Sequence, residues 1–357
     1  MTSSDDESAS SFDDNVSFID SEEGEILPQV DVPKDIELKS VIVDICCHPK
    51  KNVIAAGTID GPVHLYSFEK NSECKEILTF EHHKKSCRAV KYSQSGNYLF
   101  TASQDTTIYV VDLETNSVHR KFSRPDGSPI YSLLPVDDYF LAAGEDGGQV
   151  VIWDFRMQAP IACFEDCDDY ISSLCVNKEK KILLSTSGDG LLSAYNVRSG
   201  KMMAQSEAFD YELLSSAIFK DGSKVVVGDS DGSLDFFNWG EFGSISDRFP
   251  GHPGTVDVLA VVGDDVVCTG CEDGKIRAVQ LFPNRFLGIL GSHHGFPVEA
   301  LSVSHDSSVV ASSSYDQKIK FWDLSSIEDA KSEEVVDSKK GKQLNKQIDS
   351  FFSDLAD

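Results

Sequence analysis

An aspartate recurs at nearly regular intervals along this 357-residue chain. Successive copies are 41 to 45 residues apart, and the seven positions are Asp60, Asp105, Asp146, Asp189, Asp231, Asp273 and Asp316. Carboxylates act as general acids and bases when two of them face one cleft. Here each aspartate falls in the equivalent turn of a separate repeat, which would scatter the carboxylates around the fold. We therefore predict that these side chains stabilise turns, and that the protein is not an enzyme and needs no cofactor.

Each aspartate lies between two segments with the pattern of β-strands. In the last repeat, a run of small residues leads to Tyr315-Asp316, and Ile319 and Phe321 then alternate with lysines before Trp322-Asp323. This alternation is typical of a strand with one buried face. About four short strands per repeat cannot bury a core alone, so neighbouring sheets must pack face to face and close radially. The sequence therefore predicts an all-β, seven-bladed propeller over residues 34–325.

The repeats resemble the WD-repeat family, in which a Trp-Asp pair closes a unit, as in Trp153-Asp154 of this sequence. The resemblance implies that a His, a Ser or Thr, the turn Asp and the Trp form a hydrogen-bonded network inside a blade. The seventh repeat holds the complete set, which we predict to be His294, Ser314, Asp316 and Trp322. The resemblance also implies that an N-terminal strand completes the last blade, and the candidate is residues 35–38.

Both ends of the chain differ from the repeats in composition. Through Ile26 there are nine acidic residues and no Lys or Arg, so residues 1–33 are predicted to be a disordered acidic tail. Residues 326–357 form a charged tail. Its lysine cluster suits nuclear import, and its short amphipathic end suits docking in a partner's groove. The residues expected to bind partners there are Lys339, Lys340, Lys342, Phe351, Phe352 and Leu355.

The formal net charge of −27 argues against a broad nucleic-acid-binding surface and favours basic protein partners or simple solubility. No signal-peptide core and no apolar run of about 18 residues are present, so we expect a soluble, intracellular, monomeric propeller without membrane contact. The nine cysteines are then reduced thiols. Cys268 and Cys271 lack a second pair at zinc-ligand spacing, so no metal site is expected.

A short basic stretch precedes the second repeat. It consists of His82-His83-Lys84-Lys85 followed by Arg88 and Lys91. These residues could make a local positive contact with RNA phosphate or an acidic partner, and a solvated loop is the alternative.

The third repeat contains Ile152-Trp153-Asp154-Phe155-Arg156. This stretch resembles the Trp-Asp-x-Arg box of WD-repeat proteins that dock on the adaptor of cullin-4 ubiquitin ligases. An arginine just beyond a strand end projects from the rim, where its planar fork can make two parallel hydrogen bonds to a partner. The expected contact residues are Trp153, Asp154 and Arg156. In the structural alternative, Arg156 bonds neighbouring loop carbonyls.

The order of features along the chain resembles the WD repeat-containing protein 55 family. These features are the acidic head, the segment VIVDICCHPKKNVIAAGTIDGPVHLYSF, the segment VVIWDFR, and a lysine-rich tail ending in FFSDL. The resemblance covers most of the chain. It implies a non-catalytic scaffold in ribosomal RNA processing and large-subunit biogenesis, whose partners are ribosome-assembly factors. The implied location is the nucleus and nucleolus, with the cytoplasm as a further location. The alternative that it implies is a substrate receptor on the cullin-4 adaptor.

Overall fold

The computed structural model describes residues 25–179 and 181–327. These residues form seven four-stranded antiparallel sheets, each built from consecutive strands except at the point of ring closure. The predicted seven-bladed propeller is therefore confirmed. The two predicted tails lie largely outside the described residues. The described part of the chain contains no helix with the length and apolar character needed to span a bilayer.

The first four blades follow the chain in order. Blade one contains β2 (Ile42–Cys47), β3 (Val53–Thr58), β4 (Val63–Ser67) and β5 (Lys75–Phe80). Blade two contains β6 (Cys87–Tyr92), β7 (Tyr98–Ser103), β8 (Thr107–Asp112) and β9 (Ser117–Ser123). Blade three contains β10 (Ile130–Pro135), β11 (Phe140–Glu145), β12 (Val150–Asp154) and β13 (Pro160–Phe164). Blade four contains β14 (Ile171–Val176), β15 (Ile182–Ser187), β16 (Leu192–Asn196) and β17 (Lys201–Gln205).

The last three blades complete the ring. Blade five contains β18 (Leu213–Phe219), a 3-10 helix (Lys220–Gly222), β19 (Lys224–Asp229), β20 (Ser233–Asn238) and β21 (Asp247–Pro250). Blade six contains β22 (Val256–Val261), β23 (Val266–Cys271), β24 (Lys275–Gln280) and β25 (Arg285–Ser292). Blade seven contains β26 (Val298–Val303), β27 (Val309–Ser314), β28 (Lys318–Asp323) and, from the N-terminal side of the chain, β1 (Ile36–Glu37).

The ring closes as the sequence predicts. β1 pairs antiparallel with β28, with Ile36 opposite Ile319 and Glu37 opposite Lys318. Because strands within a blade alternate in direction, the connections between blades lie on one face, together with the turns between second and third strands. We call this the connection face, and the other side, which carries the remaining turns, the opposite face.

Contact with the propeller begins before residue 34. Residues 25–33 were predicted to belong to the disordered tail, but residues 25–27 pair with the outer strand of blade six, and Gln29 and Asp31 bond Asp323 of blade seven and Asn71 of blade one. Leu27 N donates to Ile289 O at 2.8 Å, Ile289 N donates to Glu25 O at 2.9 Å, and the Leu27 side chain is buried. A Cβ on Gly288 would lie 2.8 Å from Glu25 O, so glycine permits this close approach. The open edge of β25 thus orders a short apolar segment inside an acidic stretch.

Each first strand contains a β-bulge at the equivalent position. One extra residue faces no partner on the second strand, and these seven residues are Val43, Arg88, Tyr131, Ser172, Leu214, Asp257 and Glu299. The residue opposite the end of the bulge is small because the next blade packs against it. A Cβ on Gly144 of blade three, for example, would lie 2.6 Å from the Ile171 side chain of blade four. Bulges turn side chains away from the regular pleat, and here they direct one residue per blade toward the propeller axis.

The blade-seven network uses two residues other than those predicted. His293 Nδ1 lies 2.8 Å from Asp316 Oδ2, and His293 Nε2 lies 2.6 Å from Ser312 Oγ, which accepts a hydrogen bond from Trp322 Nε1 at 2.8 Å. Asp316 and Trp322 are therefore members, whereas His294 and Ser314 are not. The chain turns at His294, whose φ is +54° and whose side chain is exposed.

Ser314 lies too close to the connection face to reach the indole. Its hydroxyl donates to Pro297 O at 2.6 Å instead. The residue whose hydroxyl joins the network lies four residues before the turn aspartate. It is one pleat further from the connection face than Ser314. The same position carries Thr101 in blade two and Thr269 in blade six, and each hydroxyl lies within 3.1 Å of a buried histidine Nε2, on His83 and His252 respectively.

Ser312 and Ser313 provide a matched test of this network. Both are fully buried in β27, but Ser313 Oγ has no hydrogen-bond partner among the described residues. Ser312→Ala leaves Trp322 Nε1 and His293 Nε2 unpaired, and we expect it to lower the free energy of unfolding by about 2 kcal/mol. Ser313→Ala removes an unsatisfied polar atom and should be neutral or stabilising. Urea unfolding of both variants measures the difference, and equal losses would contradict the network assignment.

Blade five replaces the histidine network with a buried charge cluster. Asp229 and Asp235 are fully buried, and Arg248 Nη2 donates to Asp229 Oδ2 at 2.8 Å while Tyr211 Oη donates to Asp235 Oδ2 at 2.7 Å. Burial, together with the neighbouring Asp235 carboxylate, raises the pKa of Asp229 to about 6. One guanidinium is therefore shared by two buried carboxylates, so the cluster keeps a net negative charge when both are ionised, and Arg248 Cζ lies 4.6 Å from the centroid of the Tyr211 ring.

Removing this guanidinium should destabilise the blade in a pH-dependent way. We expect Arg248→Met to lower the free energy of unfolding by about 3 kcal/mol at pH 8, because buried charges lose their counter-ion. The pKa of Asp229 is raised in the folded state, so the folded protein takes up a proton as pH falls through about 6. The loss should therefore be smaller at pH 5. Arg198→Met, at an exposed position without an ion pair among the described residues, is the control. An equal loss at both pH values in urea unfolding would refute the explanation.

Candidate functional site

The predicted contact residues of blade three differ in their access to a partner. Trp153 is 3% exposed and packs against Phe122 with ring centroids 5.1 Å apart, and Asp154 is 5% exposed. The prediction that Trp153 contacts a partner is therefore wrong for the folded chain. The reason is that β12 is an inner strand covered on both sides, and all five of its residues are buried. Arg156, two residues beyond the strand end, retains an exposed side chain.

The Arg156 guanidinium is held by its own blade. Its Nε donates to Asp154 Oδ1 at 2.9 Å and its Nη2 donates to Asp154 Oδ2 at 2.7 Å. Its Cζ also lies 4.1 Å from the centroid of the Tyr139 ring, a cation–π geometry. Hydrogen bonds from Arg156 hold the pKa of Asp154 below its usual value. The loop carbonyls of the structural alternative are thus not its partners.

This arrangement fixes the guanidinium before any partner arrives. One edge of the planar fork is occupied by Asp154, and one face is covered by Tyr139, while 53% of the side chain stays exposed. A preorganised side chain loses less conformational entropy on binding than a free one. Arg156 therefore offers a partner a rigid guanidinium, with its charge balanced by Asp154, on the opposite face of the propeller.

Apolar side chains surround this arginine. Tyr139 is 47% exposed and Met157 is 52% exposed, and Arg120 Nη1 donates to Met157 O at 3.2 Å. We define the blade-three rim as Arg120, Tyr139, Arg156 and Met157. Three of the four methionines in the chain are exposed here or on the outer strand of blade four, namely Met157, Met202 and Met203. Exposed methionines suit binding surfaces because their flexible side chains adapt to a partner.

The sequence pattern identified Arg156 but not Tyr139 or Met157, because exposed residues in a turn show no periodic pattern.

The basic stretch before blade two is largely neutralised in the fold. Burial lowers the pKa of both His82 and His83 to about 4, so neither is charged at neutral pH. Arg88 Nη1 bonds both carboxylate oxygens of Asp146, and Lys91 Nζ lies 2.7 Å from Asp44 Oδ2. Only Lys84-Lys85 presents exposed charge in this stretch. The residues give little support to direct contact with RNA phosphate.

The remaining predicted binding residues belong to the C-terminal tail. Lys339, Lys340, Lys342, Phe351, Phe352 and Leu355 lie outside the described residues. All nine cysteines lie within the described ranges as free thiols, and Cys268 and Cys271 are buried. Across residues 25–179 and 181–327, no three or more His, Cys, Asp or Glu side chains are grouped in a way that could hold a metal ion.

Comparison with known proteins extends over all seven blades. A family model described as WDR55 matches residues 33–327. A Homo sapiens protein named WD repeat-containing protein 55 is 40% identical over 298 residues, which covers 83% of this chain and 78% of that protein. Its Rattus norvegicus counterpart is 39% identical with the same coverage. A WD repeat-containing protein 55 homolog of Drosophila willistoni is 35% identical over 333 residues, covering 91% of this chain and 66% of that protein.

Proposed function

The chain belongs to the WDR55 family, and from this membership we propose that it is a non-catalytic scaffold in ribosomal RNA processing and large-subunit biogenesis. A WD-repeat propeller of this family is a protein-interaction scaffold. The proposal adds the cellular setting, the nucleus and nucleolus, and the partners, which are ribosome-assembly factors. Support for that setting comes from the features that the chain shares with the family.

The observation that carries an interaction role is the blade-three rim. A monomeric protein gains nothing in stability from leaving Tyr139 and Met157 about half exposed around a fixed guanidinium. Aromatic, methionine and arginine side chains are the types that supply most of the binding energy at protein interfaces. A rigid platform with such a rim binds proteins without a conformational change of its own.

A second candidate function rests on the position of Arg156. It lies beyond the third strand of blade three, on the opposite face, and this position supports the rim contact that the Trp-Asp-x-Arg resemblance implies. Its internal bond to Asp154 leaves one guanidinium edge for a partner carbonyl or carboxylate. In this candidate the chain is a substrate receptor, and the connection face holds the target.

The scaffold proposal is tested by quantitative affinity purification of the tagged full chain from cells, followed by mass spectrometry. We expect large-subunit assembly factors among the enriched proteins. We expect Tyr139→Ser combined with Met157→Ser to lower their recovery by about fivefold or more, since interface anchors are lost. The control is Ile77→Ser combined with Val261→Ser, which changes exposed apolar residues on other blades. Enrichment without any assembly factor, or equal recovery from both double variants, would overturn the proposal.

The same measurement separates the second candidate. Arg156→Ala should abolish recovery of the cullin-4 adaptor if the chain is a receptor. The matched control is Arg198→Ala, because Arg198 follows the third strand of blade four as Arg156 follows that of blade three, and is also exposed. Adaptor recovery that survives Arg156→Ala, or that falls equally in the two variants, would exclude the receptor function.

A further inference from the structure

The propeller axis contains a cavity of about 730 Å³. The first strands of all seven blades line it, and every one of the seven bulge residues contributes to its wall. The bulges lie near the beginning of each first strand, so they ring the end of the cavity on the connection face. We call this ring, with the neighbouring turn residues Ile59 and Tyr315, the channel mouth.

Positive and negative groups are distributed unevenly around the channel mouth. On the side of blades one to three, Arg88 is paired with Asp146 and Lys91 with Asp44. On the side of blades six and seven, Asp257 and Glu299 have no ion-pair partner among the described residues. Asp257 accepts one hydrogen bond, from Thr255 Oγ1 at 2.8 Å. The cavity wall therefore contains two carboxylates without a counter-ion.

These two carboxylates are held at an energetic cost. Burial, with the Asp257 charge as a second cause, raises the pKa of Glu299 to about 7. Burial raises the pKa of Asp257 to about 6, and the Glu272 charge adds to this effect despite the hydrogen bond from Thr255. No protein cation offsets either shift. An added positive charge between them would stabilise both ionised carboxylates, and so offset the free-energy cost of their burial and their mutual repulsion.

Aromatic rings line the same cavity as the carboxylates. Tyr131 is 40% exposed and packs against Tyr170 with centroids 4.7 Å apart, and Tyr315 is 48% exposed. Tyr131, Tyr315 and Glu299 all line the cavity, and the Glu299 charge contributes to the raised pKa of both phenols. Ile59, 47% exposed, adds apolar surface to the same mouth. Exposed aromatic rings near carboxylates suit a ligand with an organic cation on an apolar stem.

We propose that the channel mouth binds a basic segment of a partner protein, which inserts one arginine or lysine side chain between Glu299 and Asp257. The stem of that side chain lies against Tyr131 and Tyr315, and apolar neighbours of the segment cover Ile59. The inference goes beyond the proposed function, because it depends neither on the blade-three rim nor on a role in ribosome assembly.

Nucleic acid fits this surface poorly. Its phosphates would approach two unpaired carboxylates, while the nearby Arg88 and Lys91 are already neutralised. A protein segment supplies both the cation and the apolar stem, and the charge of the cavity wall complements it.

The test uses the purified full chain and two fluorescein-labelled peptides, measured by fluorescence anisotropy at pH 8. One peptide has a single arginine flanked by leucine and glycine, and the other has glutamine in place of arginine. We expect the wild-type chain to prefer the arginine peptide by at least about tenfold. We expect Glu299→Gln and Asp257→Asn each to weaken its binding at least about tenfold, since each removes one carboxylate from the cation's site.

A matched variant controls for overall charge. Asp138→Asn removes one negative charge from an exposed turn on the opposite face and should change affinity by less than about twofold. Equal affinity for the two peptides, no saturable binding up to about 1 mM, or unchanged binding by Glu299→Gln and Asp257→Asn would overturn the proposal. So would preferential binding of a labelled homopolymer RNA that competes with the arginine peptide.

Thermal unfolding distinguishes a ligand site from a structural one. The folded chain holds Glu299 with a raised pKa, so at pH 8 the ionised carboxylate opposes folding. Glu299→Gln should then unfold at the same or a higher temperature than wild type while its peptide binding is lost. A lower unfolding temperature would mean that the carboxylate stabilises the fold, and would contradict an unpaired group kept for a partner.

Discussion

No blade of this propeller buries its faces without its neighbours, so the ring depends on the junction where the repeat array closes. β1 contributes only Ile36 and Glu37 to the edge of blade seven. Two paired residues add little net free energy through hydrogen bonds, because the same groups bond water in the unfolded chain. The junction is stabilised mainly by burial, since Ile36 joins an apolar cluster that contains Phe321 of blade seven and Phe68 of blade one. The strand fixes the register, and the cluster supplies most of the free energy.

Closing seven sheets around one axis also crowds the first strands. The chain relieves this crowding with small residues on the second strands, such as Gly144, and with one bulge in every first strand. The bulge is a packing solution, but it has a chemical consequence. It turns one side chain per blade toward the axis, where the repeat no longer constrains its type. In blades two, six and seven this side chain is charged, as Arg88, Asp257 and Glu299. The same constraint that closes the ring thus creates a position whose residue type differs from blade to blade.

The fold could be predicted from the sequence because the same strand pattern recurs in every repeat, so a strand that is ambiguous in one repeat is assigned from the others. Seven aspartates at similar spacing establish the number of blades, and the missing fourth strand of the last repeat requires a strand such as Ile36–Glu37. Side-chain partners were harder to predict, because they depend on which pleat a residue occupies. His293 and His294 are adjacent, and only the backbone turn at His294 decides which of them faces inward.

In the candidate sites, too, the sequence pattern located residues but did not predict the contacts of their side chains. The Trp-Asp-x-Arg spacing located Arg156, but it gave no sign that Asp154 and Tyr139 would hold the guanidinium, or that Trp153 would be buried. The channel mouth has no linear motif at all. Its seven bulge residues are about forty positions apart in sequence, and they converge only because each follows the start of a first strand. Once the bulge is known, residues at the bulge position of every repeat are therefore predicted to meet at the propeller axis.

The two surfaces of the propeller differ in charge, which bulk composition does not reveal. A net charge of −27 describes the whole chain, yet the blade-three rim presents Arg120 and an Arg156 already paired with Asp154 on the opposite face. The channel mouth presents unpaired carboxylates on the connection face. Because the two surfaces lie on opposite faces of the ring, occupation of one surface leaves the other accessible. A partner that offers an acceptor and apolar side chains suits the rim, whereas a basic partner suits the mouth. The arrangement allows one propeller to hold two chemically different proteins at the same time, which is the physical requirement for a scaffold.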